Sequence, residues 1–144
     1  MNVKFNKSKF SDIYYHLKCC DEYFIPYLST CVDLNSYSKK LESAADRFEY
    51  WNNQTLIGLL AIYKRVNSNS VFITNLSLIH NFFGKGYAHN LINNAVSFYK
   101  NEGFSRIDLE VNINNMRAIK FYSKNMFNIK GSEGKNILMK RNLK

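Results

Sequence analysis

The feature that most constrains this chain is a change of hydrophobic period near residues 83–88. The run Val71–Ile79 is rich in Val, Ile, Leu and Phe, which is typical of a buried strand. Beyond Gly84 and Gly86, apolar residues recur at helical spacing, at Ala88, Leu91, Ile92, Ala95, Val96 and Tyr99. The pattern therefore predicts a strand, a glycine-rich turn and a long helix.

This turn has the properties of an anion site. Gly84 and Gly86 can take positive φ and let the backbone approach a ligand closely. The first turn of the following helix offers N–H groups without a partner in the helix, and the helix dipole favours negative charge there. Lys85 adds a formal positive charge. The glycines also fit a tight connection in which strand and helix pack closely.

Two well-known phosphate-binding patterns fit the turn poorly. A Rossmann fingerprint needs a third small residue where His89 stands. A P-loop needs Gly-Lys-Ser/Thr after a longer gap, whereas Gly86 follows Lys85 here. The order of segments instead resembles motif A of the GNAT superfamily of acetyl-CoA-dependent N-acetyltransferases, Gln/Arg-x-x-Gly-x-Gly/Ala, in which Gly86 and Ala88 match.

Downstream residues extend this resemblance to about residues 54–130. Leu109-Glu110-Val111 resembles the next strand of the family, and Asn115-Met-Arg-Ala118-Ile-Lys-Phe-Tyr122 resembles its Asn-x-x-Ala-x-x-x-Tyr helix. Three positions depart from the pattern: Phe83 stands where Gln or Arg is usual, His80 where Pro is frequent, and Met126 where Gly usually precedes Phe127.

The chain of 144 residues is predicted to form one domain, residues 1–144, of the α/β class. Its 46% hydrophobic residues supply a sizeable core. We expect a GNAT-like mixed sheet of six or seven strands with about four helices. The predicted elements are a strand at 2–6, helices at Ser11–Cys20 and after Asp33 or Asn35, a hairpin turning at Asn52-Asn53, a central strand at Leu56–Tyr63, a helix stop at Gly103, and strands at Arg106–Val111 and Ile137–Arg141.

The resemblance implies a coenzyme site built largely from main chain. Backbone N–H groups of the turn are expected to hold the pyrophosphate of acetyl-CoA; they belong to Phe83, Gly84, Lys85, Gly86, Tyr87 and Ala88. The exposed edge of Leu76, Ser77 and Leu78 is expected to pair with the pantetheine amides like an added strand. Asn115 is expected to touch the coenzyme, and the N–H near Leu78 to stabilise the oxyanion.

Two side chains are the candidate catalytic residues. Tyr122 matches the family tyrosine that protonates the departing thiolate, although it can also be a core tyrosine. Glu110 is the candidate base, since strand alternation places it with Asp108 opposite the apolar residues. Its setting and its twelve-residue spacing to Tyr122 resemble the ribosomal-protein and N-terminal acetyltransferase branch. Glu49 is an alternative base, and His80 a more distant one.

Charge and cysteine content bound the remaining possibilities. The formal charge of +9 comes mostly from scattered lysines with no nucleic-acid-binding motif, so a solvated surface is favoured over nucleic-acid binding. His16, Cys19, Cys20 and Cys31 lack paired metal-ligand spacing, and we expect no metal site. The first residues lack a signal-like apolar segment and Leu56–Tyr63 is too short to cross a bilayer, so we expect no membrane partner and a cytoplasmic protein.

The resemblance thus implies an enzyme that moves an acetyl group from acetyl-CoA to a primary amine by direct transfer in a ternary complex. A small-molecule amine, an amino sugar or a protein N-terminus are all compatible acceptors. The alternative is a non-catalytic coenzyme-A-binding module that senses or tethers. Either a monomer or a homodimer is compatible with the sequence.

Overall fold

The computed structural model describes residues 2–144, which fold around one seven-stranded mixed sheet. The spatial order is β1-β2-β3-β4-β5-β7-β6. Only β4 and β5 are parallel; all other neighbours are antiparallel. The strands are β1 Lys4–Phe5, β2 Asp46–Asn52, β3 Thr55–Arg65, β4 Ser70–Leu78, β5 Arg106–Asn112, β6 Asn128–Glu133 and β7 Asn136–Asn142.

Five α-helices cover the sheet, one more than the sequence predicted. They are α1 Phe10–Cys20, α2 Leu28–Cys31, α3 Leu34–Ala44, α4 Tyr87–Asn101 and α5 Met116–Lys124. The additional helix is the single turn α2, which lies between the two predicted helices that correspond to α1 and α3. Asp33 caps α3 as predicted, because its carboxylate accepts the Ser36 N–H at 3.0 Å.

The two faces of the sheet carry separate apolar cores. On one face α4 buries Leu91, Ile92 and Ala95 against β2–β5. On the other face α1 and α3 pack on β3 through Leu17 and Leu41. β3 serves both cores and is buried from Leu56 to Ile62, which confirms its prediction as a central strand.

The turns follow from residues that tolerate left-handed backbone. Asn53 takes φ 57° in the hairpin between β2 and β3, and Gly103 takes φ 88° just after α4. The Phe104 N–H then bonds the Tyr99 carbonyl at 3.0 Å, so Gly103 ends the helix as predicted. Met126 takes φ 71° after α5, the conformation for which the family pattern uses glycine.

Two irregularities of β4 shape the site. The register with β3 shifts between the Ala61/Asn75 and Ile62/Ile73 pairs, so Thr74 is an extra residue in β4. β4 also pairs with β5 only over Ser70–Phe72, although it continues to Leu78. The two parallel strands therefore separate, and the β5-facing edge of the second half of β4 is left without a strand partner in the described chain.

Candidate active site

A cavity of about 510 Å³ opens where β4 and β5 separate. It lies among the second half of β4, the beginnings of α4 and α5, and the end of α1. The predicted site residues that line it are Leu76, Ser77, Leu78, Phe83, Gly84, Gly86, Tyr87, Ala88, Asn115 and Tyr122. Lys85 and Glu110, both in the described part of the chain, are absent from this lining.

The N-terminus of α4 points an uncapped turn at this cavity. Gly86 is its N-cap and supplies no capping side chain, whereas α3 and α5 are capped by Asp33 and Asn115. The first helical bond runs from the Asn90 N–H to the Gly86 carbonyl at 3.0 Å. The N–H groups of the three preceding residues therefore have no helical acceptor, which is the arrangement that binds anions.

Gly84 and Gly86 allow a left-handed backbone and leave open space beside the turn. Gly84 and Gly86 take φ of 74° and 83°. A Cβ atom built on either glycine would meet no atom within 4 Å, apart from its own neighbours in the chain. Close strand–helix packing therefore does not explain these glycines. The space beside the turn is open, and it fits a pyrophosphate held by main-chain N–H groups.

The edge of β4 presents main-chain groups to the same cavity. The Ile79 N–H donates to the Ile57 carbonyl at 2.8 Å, toward β3. Because alternate residues of an antiparallel strand direct their N–H and C=O to opposite sides, those of Leu76 and Leu78 point toward the gap beside β5. An extended chain with amides, such as pantetheine, can pair with this edge.

α5 brings two predicted side chains to the cavity. The Asn115 Oδ1 accepts the Ala118 N–H at 3.2 Å and caps the helix, which leaves the Asn115 amide NH₂ available. Tyr122 is mostly buried but borders the cavity. Burial alone raises the pKa of the Tyr122 phenol, so its hydroxyl keeps its proton and can act as a donor.

Glu110 lies outside this arrangement. Its side chain is exposed, and the Asn136 amide donates to it at 3.5 Å. Asp108, on the same face of β5, is buried and forms ion pairs with Arg106 at 3.0 Å and Lys130 at 3.3 Å. The strand alternation on which the prediction rested holds, but it directs Glu110 to solvent rather than into the cavity.

Neither alternative base, Glu49 or His80, is among the residues that line the cavity. Glu49 is fully buried and accepts hydrogen bonds from the Ser8 N–H at 3.1 Å, the Trp51 indole at 3.0 Å and the Ser8 hydroxyl. Arg47 forms an ion pair with it at 3.4 Å. The exposed His80 ring stacks on Tyr23, with ring centroids 4.9 Å apart.

The cavity also contains residues that the sequence reasoning did not assign to it. Cys20, Tyr23 and Phe24 form its wall at the end of α1, and Arg117 lies at the start of α5 with its guanidinium 4.8 Å from the Phe83 ring centre. Arg117 lies within the quoted Asn-x-x-Ala-x-x-x-Tyr segment, which is the one signal that could have found it. Behind the wall, His16 is buried and bonded to Ser77.

Within residues 2–144 no three His, Cys, Asp or Glu side chains converge as metal ligands do. All three cysteines are free thiols. In the same part of the chain, no helix combines the length and the apolar character that a membrane span requires.

Solved structures share this fold over nearly the whole chain. The PaiA N-acetyltransferase of Thermoplasma acidophilum, in complex with coenzyme A, superposes with a TM-score of 0.76 at 18% identity over 99% of both chains. The ribosomal-protein-S18-alanine N-acetyltransferase of Escherichia coli gives 0.78 at 12% identity, over 99% of this chain and 94% of its own. A Bacillus subtilis acetyltransferase in complex with CoA gives 0.72 at 16% identity, over 98% and 97%.

At these identities the superpositions establish the fold alone. No curated protein sequence matches the chain. The model of the acetyltransferase (GNAT) family, by contrast, matches residues 11–126, which include the separated strands, the glycine turn and α5. The chain therefore belongs to the GNAT acetyltransferase family.

Proposed function

We propose that this protein transfers the acetyl group of acetyl-CoA to the nitrogen of a primary amine by direct transfer in a ternary complex. Its family makes the protein an acyltransferase with acetyl-CoA as cosubstrate. The observation that carries the proposal is the convergence of three features on one cavity: the uncapped start of α4, the open edge of β4 and the Tyr122 hydroxyl.

In this proposal, the start of α4 holds the diphosphate of acetyl-CoA. The N–H groups of Tyr87, Ala88 and His89 lack helical acceptors, and the helix dipole adds to their attraction for an anion. The backbone groups of Leu76 and Leu78 hold the pantetheine arm. These contacts would place the thioester near the end of β4, where the Leu78 N–H is available to an oxyanion.

Tyr122 is the proposed acid for the departing thiolate. Its phenol borders the cavity and is protonated at neutral pH, and burial raises its pKa further above the ordinary value. The sequence predicts Glu110 as the base, and in that role the carboxylate would have to act through water from outside the cavity. E110Q tests this directly: an unchanged kcat would remove Glu110 from the mechanism.

Two acceptor classes follow from the sequence and are compatible with the site. One is a small amine or amino sugar. The other is a protein N-terminus; one neighbour in fold, the E. coli enzyme, is a ribosomal-protein-S18-alanine N-acetyltransferase. Because identity to that enzyme is 12%, the choice between the classes is an experimental question.

The test has two steps. Calorimetric titration of the protein with acetyl-CoA measures coenzyme binding, and we expect a single site. Release of the CoA thiol is then followed with a panel of polyamines, aryl-alkylamines, amino sugars and N-terminal peptides, with products identified by mass. Acetylation of at least one amine supports the proposal. Binding without turnover across the panel would favour the non-catalytic coenzyme-A-binding module.

A further inference from the structure

A serine and a histidine form a buried hydrogen-bonded pair at the wall of the cavity. The Oγ of Ser77, on β4, lies 2.8 Å from Nε2 of His16, on α1. His16 is 2% exposed, and Ser77 lines the cavity. His16 Nδ1 lies 2.9 Å from the Leu56 carbonyl oxygen on β3. The histidine is therefore held at both nitrogens, with one of them directed toward the site.

Two backbone carbonyls determine the direction of the hydrogen bonds that join His16, Ser77 and Asn75. The Leu56 carbonyl can only accept, so His16 Nδ1 carries the hydrogen and Nε2 presents its lone pair to Ser77. The Leu59 carbonyl accepts from the Asn75 Nδ2, which also donates to the Ser77 Oγ at 2.9 Å. The Ser77 hydroxyl must consequently donate its own hydrogen to His16.

This arrangement leaves Ser77 with one acceptor position. A hydroxyl oxygen has two lone pairs, of which one accepts from Asn75. The second receives no N–H or O–H hydrogen bond from the described residues, although the Cys20 thiol lies beside the pair, with its Sγ 3.7 Å from His16 Nε2 and the Ser77 hydroxyl within its reach. Ser77 and Tyr122 both line the cavity. An amine entering the cavity would find here an oxygen that accepts its N–H and already passes a hydrogen to an imidazole.

We infer that Ser77 accepts the proton of the attacking amine and relays it to His16, which serves as the proton acceptor of acetyl transfer. This inference rests on the proposed function and deepens it. In this relay Ser77 contacts the amine that receives the acetyl group. His16 does not contact the amine; it acts through Ser77 and is a positioning residue. The relay gives the site a proton acceptor inside the cavity, where Glu110 is absent.

The proton count closes without another reactant. The amine nitrogen bonds the acetyl carbon and becomes acidic; its proton passes to the Ser77 oxygen while the Ser77 hydrogen passes to His16 Nε2. The carbon–sulfur bond breaks, and the thiolate takes the Tyr122 proton. His16 then returns its proton to the Ser77 oxygen while Ser77 releases one to solvent in the cavity, and the Tyr122 phenolate takes a proton from solvent, which restores all three residues.

Burial determines the charge state of the His16 imidazole in the resting protein. Burial lowers the pKa of His16 to about 4, against the opposing effect of its bonds to Leu56 and Ser77. Its imidazole is therefore neutral at neutral pH, so Nε2 keeps the lone pair that accepts from Ser77. Because burial disfavours the imidazolium, the relayed proton must leave His16 again within the same turnover. Burial raises the pKa of the neighbouring Cys20 thiol to about 12, so Cys20 does not compete as a thiolate.

The experiment compares four variants with an amine that the wild-type protein acetylates. S77A and H16Q should each lower kcat by about 100-fold with little change in the KM for acetyl-CoA, because general acid–base catalysis contributes about that much. Gln at position 16 can accept the Ser77 hydrogen bond but cannot take its proton. S77T restores the hydroxyl and should recover most of kcat.

S38A is the matched control, since Ser38 is also buried and its hydroxyl has no partner in the described chain. It should leave kcat unchanged. Thermal melts identify any variant that fails to fold. In parallel, ¹⁵N NMR of His16 reports the tautomer without turnover. The relay predicts hydrogen on Nδ1 and an Nε2 signal that shifts in S77A.

Wild-type kcat in S77A and H16Q, or hydrogen on Nε2 in the resting protein, would overturn the relay while leaving the acetyltransferase function intact. If the wild-type protein binds acetyl-CoA but acetylates no amine, the proposed function is wrong, and the relay with it. Loss of kcat in S77A and H16Q with recovery in S77T supports the relay.

Discussion

Two clusters of largely buried polar side chains differ in how the chain satisfies them: the Glu49 cluster (Glu49, Arg47, Ser8 and Trp51) and the Ser77 cluster (Ser77, His16 and Asn75). In the first, all charged groups are paired and hydrogen-bonded by the chain itself. Around Glu49, the carboxylate accepts from Lys7, Ser8 and Trp51 and pairs with Arg47. The Arg47 guanidinium also donates to the carbonyls of residues 41, 42 and 45. Around Ser77, one lone pair of the hydroxyl receives no N–H or O–H hydrogen bond, and the strand edge beside it has no strand partner in the described chain.

The comparison separates two uses of buried polarity. A buried charge is tolerated only when it is paired and fully hydrogen-bonded, and the Glu49 carboxylate meets that condition. The Ser77 cluster is neutral, and an unsatisfied acceptor position on a neutral group costs less free energy inside a protein than one on a charged group. We expect changes in the first cluster to alter stability and changes around the second to alter turnover.

The largest effect is expected at the closed cluster. E49A would leave Arg47 buried without its counter-charge, and breaking such a pair typically costs about 3–5 kcal/mol of unfolding free energy. Urea denaturation measures this loss. E133A removes an exposed carboxylate from β6 and is the control, with little expected change. A stability loss for E49A no greater than that for E133A would contradict the distinction between the clusters.

A substitution in the cavity should instead lower turnover and leave stability unchanged. Y122F removes the proposed acid and should lower kcat by about 10–100-fold, with unchanged stability and acetyl-CoA affinity. The matched control is Y63F, since the Tyr63 hydroxyl is buried without a partner in the described chain and outside the cavity lining. Steady-state kinetics on both variants decide the point. Equal kcat in the two would return Tyr122 to a packing role.

A substitution in the glycine turn should lower both the stability of the protein and its affinity for acetyl-CoA. G86A places a Cβ at φ 83°, which costs roughly 1–2 kcal/mol, and it distorts the turn whose N–H groups are proposed to hold the diphosphate. We expect acetyl-CoA to bind about tenfold more weakly, by calorimetry. G134A introduces similar strain at φ 60° in the β6–β7 turn, away from the cavity. It should lose stability but keep its affinity.

The smallest effect is a gain. Met126 holds φ 71° with its side chain 68% exposed, so M126G should relieve strain and raise stability by about 1 kcal/mol. M116G changes another exposed methionine, at the start of α5, and should lower stability. Chemical denaturation of the pair measures both signs. A destabilised M126G would show that contacts of Met126 outweigh its backbone strain.

Local chemistry made much of this fold predictable. The cap at Asp33, the helix stop at Gly103 and the glycine turn depend on a few neighbouring residues, and each could be read from them. The strand β6 is different. Its residues are largely exposed and polar and it lies at the edge of the sheet, so it lacks the apolar pattern that identifies a strand.

The Ser77 cluster could not be predicted, for a physical reason. Simple alternation would place Ser77 on the same face as Val71 and Ile73, which pack in the core with α4. The extra residue at Thr74 reverses this parity, so Asn75 and Ser77 face α1 instead. His16 is 61 residues away in sequence, and no motif links it to Ser77.

The short contact between β4 and β5 has a mechanical consequence. Three register pairs join them, and beyond Phe72 no backbone ladder connects one half of the sheet to the other in the described chain. A bound molecule with amides along its length would bridge the two halves of the sheet by hydrogen bonds. Ligand binding would then reduce motion between β4 and β5. It would be detected as slower amide hydrogen exchange on both strands.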